Sequence, residues 1–209
     1  MNIKNLHIPI IILSVIIALI SNYGSFVSAI EPFTFLMMDL NSVEKGYINF
    51  FTIDSTYNIN NEWWRLITPI FIHFSFAHLV FNCLWIYVLG SKIEYNDGHI
   101  IFLGLILFSA ISSNLTQHFF EGPSLFGGLS GIIYGMLGYC MINDLELKQY
   151  RYELPPALYL FMIVWLILGF LGVLNLFGFG NVANYAHLGG LISGVIFAIM
   201  LKLTGVQLK

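Results

Sequence analysis

Charged residues are scarce in this chain. Only 9% of its 209 residues are Asp, Glu, Lys or Arg, whereas 58% are hydrophobic. Ordinary soluble domains carry about a quarter charged residues, so this deficit excludes that class and indicates a membrane protein with several spans. The net charge of −3 gives no indication of a nucleic-acid partner.

Cysteine and metal-binding patterns are scarce as well. The two cysteines, Cys83 and Cys140, lie in apolar runs, so we expect packing roles and no disulfide framework. The sequence has no His-Glu-x-x-His motif. His73 and His78 would be about 140° apart around a helix, which is poor geometry for a shared metal. We therefore expect no metal and no cofactor.

What the chain does have is a series of six apolar runs. Crossing the hydrocarbon core takes about 20 residues of helix. Runs of suitable length lie near residues 6–29, 77–93, 98–117, 130–147, 155–172 and 183–203. These runs predict an all-α membrane protein, a single membrane domain over residues 1–209 with six transmembrane helices and no soluble domain.

The basic residues predict how the spans are oriented, because Lys and Arg near span ends are retained in the cytoplasm. In a six-span arrangement Lys45 and Arg65 fall on one side, and the other side carries Lys4, Lys92, Lys148, Arg151, Lys202 and Lys209. We therefore expect both termini to be cytoplasmic. The N-terminal run also fits a cleavable signal peptide, whose removal would leave five spans.

The connection from about residue 30 to residue 76 is then external, and it is unusually aromatic for a solvated linker. Its aromatic residues are Phe33, Phe35, Tyr47, Phe50, Phe51, Tyr57, Trp63 and Trp64. Trp and Tyr favour the membrane interface. We predict a folded first loop half-submerged in the bilayer, with Trp64 and Arg65 contacting lipid headgroups.

The intramembrane polar groups with catalytic potential cluster at one depth. Spans 2, 4 and 6 run in the same direction, so their first turns share a leaflet, and these turns contain His78, Asn82, Ser130 and His187. Span 4 is only about 26 Å long as a helix, so the glycine-rich segment 122–129 must enter the membrane as loop. Irregular backbone at that depth requires protein or a cavity around it. A cavity beside Ser130 is therefore expected.

These groups suit nucleophilic catalysis. A serine hydroxyl needs a neighbouring base, usually a neutral histidine, so Ser130 would attack and His187 would take its proton. The backbone N–H of Ser130 and the side chains of His78 and Asn82 would stabilise an oxyanion. Tyr134 would stack on His187. No Asp or Glu lies in a comparable position, so a dyad is expected.

Each of these features also has a structural interpretation. A serine among glycines is often a packing motif, because small residues let helices approach closely. Here Gly131 and Gly135 in span 4, and Gly190 and Gly194 in span 6, are spaced for such a contact. A lone intramembrane histidine is often bonded to a carbonyl, and in this interpretation His78 and Asn82 only hold interfacial water. The joint pattern favours the catalytic interpretation.

Four motifs follow one another along the chain: Trp64-Arg65, the segment from His73 through His78 to Asn82, Gly128-Leu129-Ser130-Gly131, and Ala186-His187-Leu188-Gly189-Gly190. In these motifs the chain resembles the rhomboid family of intramembrane serine proteases. The resemblance implies a six-helix rhomboid-like bundle, with Ser130 and His187 catalytic, His78, Asn82 and Ser130 in oxyanion stabilisation, and Tyr134, Gly128 and Gly131 supporting them. It also implies that Glu94 braces a helix end and that span 5 acts as a lateral gate.

The resemblance further implies cleavage of single-span membrane proteins in or near their transmembrane segment, without metal or cofactor. We expect a multi-pass protein of a bacterial cytoplasmic membrane, with its site opening to the external side. The partners would be transmembrane substrates and the lipid bilayer, and the sequence leaves the oligomeric state open. The alternative is a noncatalytic membrane protein, either a rhomboid-like binder of client helices or a small transporter. An ion path would carry charged groups at several depths, which disfavours transport.

Overall fold

The chain folds as an all-α bundle. The computed structural model describes residues 5–147, 151–177 and 182–205. The helices in these ranges are α1 (His7–Ile20), α2 (Val27–Ile30), α3 (Leu40–Glu44), α4 (Phe76–Trp85), α5 (Ser91–Asp97), α6 (His99–Glu121), α7 (Ser130–Leu147), α8 (Pro156–Phe170) and α9 (Asn184–Leu203). A π-helical turn, Ile86–Gly90, joins α4 to α5, which makes one continuous helix of 22 residues.

The helices confirm the prediction of an all-α membrane protein with several apolar helices. By length and composition, Phe76–Asp97, His99–Glu121 and Asn184–Leu203 are each suited to crossing a membrane, and His7–Ile20 and Pro156–Phe170 are shorter apolar helices. Helix α7 is the sixth long segment in the described residues. Side chains such as Leu19, Leu103 and Ile196 face outward, as a lipid environment requires. The protein is a multi-pass membrane protein.

The first helix is shorter than its apolar run. It ends at Ile20, although the run continues to residue 29. Asn22 and Tyr23 have φ of 46° and 52°, and Gly24 has φ of 80°. Three successive positive φ values cannot continue a right-handed helix, so the chain turns here. The span predicted over 6–29 was therefore too long at its C-terminal end.

The centre of the bundle is α7, whose residues from Gly131 to Cys140 are all buried. It packs closely against α9. A Cβ atom added at Gly190 would overlap the carbonyl oxygen of Gly131, and one added at Gly194 would overlap that of Gly135. The predicted small-residue contact is thus present. On the other side of α7, a Cβ at Gly131 would be 2.5 Å from Ser113 Oγ of α6. Helices α7 and α9 are therefore packed backbone to backbone, and α6 meets α7 through the small side chain of Ser113, without room for an added methyl group.

The first loop is folded against the bundle. Arg65 is only 2% exposed, and its guanidinium donates to the Glu31 carboxylate at 2.8 Å and to the Thr34 carbonyl at 3.1 Å, besides pairing with Glu62. The prediction that Arg65 contacts headgroups is wrong, because its charge is satisfied inside the loop. Trp64 is half exposed. We call the end of the bundle that carries this loop and Ser130 the loop end.

The far end, opposite the loop end, holds two buried carboxylates. Glu94 accepts hydrogen bonds from the backbone N–H of Leu6 at 2.6 Å and of His7 at 3.1 Å. It therefore caps the start of α1, a role that fits the predicted brace. Asp97 pairs with Arg151.

Candidate active site

Ser130 is the first residue of α7, and the glycines before it determine where it lies. Gly128 has φ of 120°, a value that L side chains rarely adopt. A Cβ at Gly128 would lie 2.7 Å from His78 Nε2 and 3.3 Å from Asn82 Nδ2. The chain just before Ser130 thus passes directly against His78 and Asn82. A larger residue at position 128 would separate these groups.

Ser130 and His187 are in hydrogen-bond contact. The distance between Ser130 Oγ and His187 Nε2 is 2.7 Å, so Nε2 can accept the hydroxyl proton when Nδ1 carries the ring hydrogen. The Tyr134 ring stacks on His187, with centroids 4.7 Å apart and planes 27° apart. Nδ1 of His187 is buried and has no protein partner among the described residues. The pair therefore has the geometry of a dyad without a third, orienting carboxylate.

His78 and Asn82 lie one turn apart on α4 and reach the same cavity. Ser75 caps this helix by accepting from the His78 backbone N–H at 3.1 Å. Asn82 is buried, with 1% of its surface exposed. The structure thus brings together the four residues that the sequence singled out, since Ser130, His187, His78 and Asn82 all line one cavity.

The sequence predicted no catalytic or positioning role for His73, and the structure shows that this residue contacts Asn82. Its Nδ1 lies 3.1 Å from the Phe71 carbonyl oxygen, so Nδ1 donates and Nε2 is left to accept from Asn82 Nδ2 at 3.1 Å. Burial, and secondarily the neighbouring His78, lowers the pKa of His73 to about 3. His73 is therefore neutral near pH 7, as an acceptor must be, and it fixes the orientation of the Asn82 amide.

Two further side chains that the sequence did not reveal hold the start of α9, the helix of His187. Gln117 of α6 accepts from the backbone N–H of Ala186 at 2.9 Å, which satisfies one of the free donors at a helix start. Asn184 donates to the carbonyl of Gly169 in α8 at 3.0 Å. Both contacts join residues more than ten positions apart, so no local pattern signals them.

The cavity beside Ser130 is present and small, about 50 Å³. This space holds water but no polypeptide. Its walls away from the dyad are apolar and include Phe81 and Trp85 of α4 and Met162 and Trp165 of α8. Phe81 and Trp165 stack across the gap between α4 and α8, with centroids 5.2 Å apart. Within the described residues, no three His, Cys, Asp or Glu side chains are grouped to bind a metal ion.

A hydroxyl in contact with a histidine, with several donors around one cavity in a membrane bundle, is the arrangement expected of a serine hydrolase. Comparison with known proteins gives the family. The Rhomboid domain matches residues 60–203, so the chain belongs to the rhomboid family, as the sequence motifs predicted.

Curated relatives are similar over about two thirds of the chain. The rhomboid protease GlpG of Serratia proteamaculans (strain 568) is 36% identical over 137 residues, which are 66% of this chain and 48% of that protein. The rhomboid protease GlpG of Yersinia pseudotuberculosis serotype I (strain IP32953) is 37% identical over 135 residues, 65% of this chain and 47% of that protein. The chain therefore matches about half the length of these relatives.

Proposed function

We propose that this protein is an intramembrane serine endopeptidase that cleaves single-span membrane proteins in or near their transmembrane segment. The observation that carries the proposal is the 2.7 Å contact between Ser130 Oγ and His187 Nε2. This contact lies at a helix start, beside a cavity inside a multi-pass bundle. The two relatives above, both called rhomboid protease GlpG, support the same activity.

In the proposed reaction, Ser130 Oγ attacks the carbonyl carbon of the scissile peptide bond while its proton passes to His187 Nε2. The resulting oxyanion accepts from the backbone N–H of Ser130, which has no partner within α7 because it is the first helical residue. His78 and the Asn82 amide supply further donors. His187 then returns the proton to the leaving amine, and a water activated by His187 hydrolyses the acyl-enzyme.

We propose the supporting roles of three further residues from their contacts. Tyr134 keeps the His187 ring in plane by stacking. Gly128 lets the chain pass against His78 and Asn82, and Gly131 lets α7 approach α6 and α9. Each role depends on close packing, so enlarging either glycine would displace the dyad.

We further propose that this rhomboid membrane domain lies in a bacterial cytoplasmic membrane, with both termini inside and the loop end outside. The charge distribution supports this orientation. Lys92 and Arg151 lie at the far end, where they pair with Glu153 and Asp97, and Lys202 lies in the last turn of α9. Basic residues at the far end support a cytoplasmic location for that end.

The test is cleavage by purified protein in liposomes that contain a generic single-span substrate. We expect product from the wild type, with a mass that locates the cut in or near the transmembrane segment. Ser130→Ala and His187→Ala should each abolish it. Product from Ser130→Ala would exclude the serine mechanism. A folded wild type that binds several single-span substrates and cleaves none would favour the noncatalytic, client-binding alternative.

A further inference from the structure

A second pocket lies at the far end of the bundle, away from Ser130, and we call it the far-end pocket. It measures about 610 Å³, within the range of about 300–1,000 Å³ that is usual for small-molecule sites. Its polar lining includes Ser91, Lys92 and Tyr95 of α5, His99 of α6, and Arg151 and Glu153 before α8. None of these residues takes part in the proposed reaction, so the pocket is separate from the dyad.

Lys92 is a basic residue of this pocket whose charge the protein leaves poorly satisfied. Its Nζ is 3.7 Å from Glu153 Oε2, which is beyond hydrogen-bond distance, and no other described carboxylate pairs with it. The Glu153 side chain is 86% exposed, and an exposed ion pair of this kind contributes little. The Lys92 ammonium therefore has N–H donors available to a ligand.

The buried carboxylates beside the pocket are already occupied by other partners. Glu94 caps the start of α1 and contacts His99 Nδ1 at 3.0 Å. Asp97 pairs with Arg151. Because these acceptors are in use, the pocket presents donors to a ligand more than it presents acceptors. His99 is half exposed, and its protonated ring has a second donor, Nε2–H, when Nδ1–H faces Glu94.

The position of Lys92 along its helix lies close to the membrane surface. The spanning helix ends at Asp97, and Lys92 is about 7.5 Å before that end. A lysine at this depth extends its ammonium toward the lipid headgroups. Tyr95 in the lining, and Ile100 next to His99 in the sequence, are almost fully exposed, so lipid chains can lie against this side of the bundle. Basic pockets in this position suit the headgroups of anionic lipids.

We propose that the far-end pocket binds a phosphate group, carried by an anionic phospholipid or present as free phosphate. Lys92 donates to the phosphate oxygens, and protonated His99 adds a second charge-assisted hydrogen bond. Glu153, at the solvent edge, repels the same anion and weakens its binding. The proposal does not depend on the proposed proteolytic function, because the pocket lies at the opposite end from Ser130.

The test is isothermal titration calorimetry on the full chain in an uncharged detergent. The probe is dihexanoyl phosphatidylglycerol, and the matched control is dihexanoylglycerol, which has the same acyl chains and no phosphate. We expect one saturable site for the first lipid and none for the second. Equal binding of both lipids would show that only the acyl chains are recognised, and it would overturn the proposal, as would the absence of binding by either lipid and by inorganic phosphate.

Inorganic phosphate distinguishes the two sources of the ligand. If it displaces dihexanoyl phosphatidylglycerol at a comparable concentration, the phosphate group alone is sufficient, and the site accepts free phosphate. If it does not displace the lipid, the phosphate must be delivered on acyl chains, and the ligand is a phospholipid. Either result supports a phosphate site, provided that dihexanoylglycerol does not bind.

Two substitutions in the pocket should change the affinity in opposite directions. Lys92→Gln removes a donor and a positive charge, so it should weaken the binding of dihexanoyl phosphatidylglycerol about fivefold, the usual effect of one basic residue near an anionic headgroup. Glu153→Gln removes the repelling charge and should tighten binding about twofold. If both variants weaken binding, the pair of Lys92 and Glu153 only holds the segment before α8 in place, and the proposal is wrong.

The matched control variant is Lys202→Gln. Lys202 lies in the last turn of α9 and outside the lining of the far-end pocket, so its loss removes the same charge at the same end. Binding should stay within about twofold of the wild type. An equal loss in Lys202→Gln and Lys92→Gln would show general attraction of anions to this end, and it would overturn a specific site. If Lys92→Gln does not fold, the exposed substitution Glu153→Gln still decides, because unchanged affinity in that variant contradicts the proposal.

Discussion

The Asp97 cluster at the far end and the polar groups around the cavity at the loop end differ in how completely they are hydrogen-bonded. At the far end, Asp97 has a fully buried side chain and accepts from Arg151 Nε at 3.1 Å and from the hydroxyls of Tyr139 at 3.0 Å and Tyr152 at 2.7 Å. Burial raises the pKa of the Tyr152 hydroxyl, which keeps it a donor. The charge is thus surrounded by partners, and the cluster ties α5, α7 and the segment before α8 together.

Around the cavity at the loop end the polar side chains are those of Ser, Asn and His, and part of their hydrogen-bonding capacity is unused. The first backbone N–H of α7 has no acceptor within its helix, and His187 Nδ1 has no partner among the described residues. Unused donors beside a cavity are available to a substrate, whereas the saturated groups around Asp97 are not. The comparison indicates that the far end stabilises the fold, whereas the cavity at the loop end leaves donors available for the proposed reaction.

The strongest test of this difference between the two ends is the substitution Ser130→Ala. Cleavage in liposomes should fall by about 10³-fold or more, because the nucleophile is lost. The midpoint of thermal unfolding in detergent should stay close to that of the wild type, since one hydroxyl at a cavity contributes little to packing. A large drop in this midpoint would show that the loop end is structural as well.

Asp97→Ala should have the converse effect. It leaves the Arg151 guanidinium and two tyrosine hydroxyls without their acceptor, and breaking a buried pair in this way costs about 3–5 kcal/mol. Unfolding in mixed micelles should show this loss in the free energy of unfolding. The rate of cleavage per folded molecule should stay near that of the wild type. Asp97→Asn keeps an acceptor and should lose less stability. Normal stability in Asp97→Ala would contradict the structural role of the far end.

His73 tests how much the site depends on positioning. His73→Ala removes the acceptor that orients the Asn82 amide, so the maximal rate should fall about tenfold to a hundredfold, up to the effect of losing one oxyanion donor. KM should change little. His73→Gln restores an acceptor and should recover part of the rate. If KM rises as much as the maximal rate falls in both variants, the substitutions disrupt the site as a whole instead.

The same residue predicts a pH dependence of stability. The pKa of His73 is about 3 in the folded chain, against an ordinary value of 6.5. Below pH 6.5 the unfolded chain takes up a proton that the folded chain does not, so stability falls as the pH drops from there toward 3. The contribution of this residue is at most about 1.4 kcal/mol per pH unit. Unfolding measured across this window should be less pH-dependent in His73→Gln than in the wild type.

The smallest expected effect is that of Tyr134→Phe. This change removes the hydrogen bond to the Met162 carbonyl and keeps the ring that stacks on His187. Stability should fall by about 1 kcal/mol, and cleavage should stay within a few-fold of the wild type. A loss of cleavage as large as that in Ser130→Ala would show that the Tyr134 hydroxyl takes part in the reaction. The hydroxyl would then be a reactive group and not only a structural one.

Much of the site could be predicted because its residues are tied to local patterns. The direction of spans 2, 4 and 6 placed four polar residues in one leaflet, and the glycine spacing in α7 and α9 predicted their contact. Errors arose where the local pattern was ambiguous. The apolar run after Ile20 continues without a break in hydropathy, and the turn at Asn22 to Gly24 is visible only in the backbone angles. An arginine in an aromatic loop is equally consistent with headgroup contact and burial.

The sequence by itself determined the class of this protein, the helices and the identities of the predicted dyad, because hydrophobic runs and motif spacing act along the chain. Only the tertiary structure decided that His73 orients Asn82, that Arg65 is buried, and that Asn184 meets Gly169 across two helices. These contacts depend on side chains that packing brings together from distant positions or from an irregular loop. The hydrophobic periodicity of the sequence does not predict such contacts, because they form only when the helices have assembled.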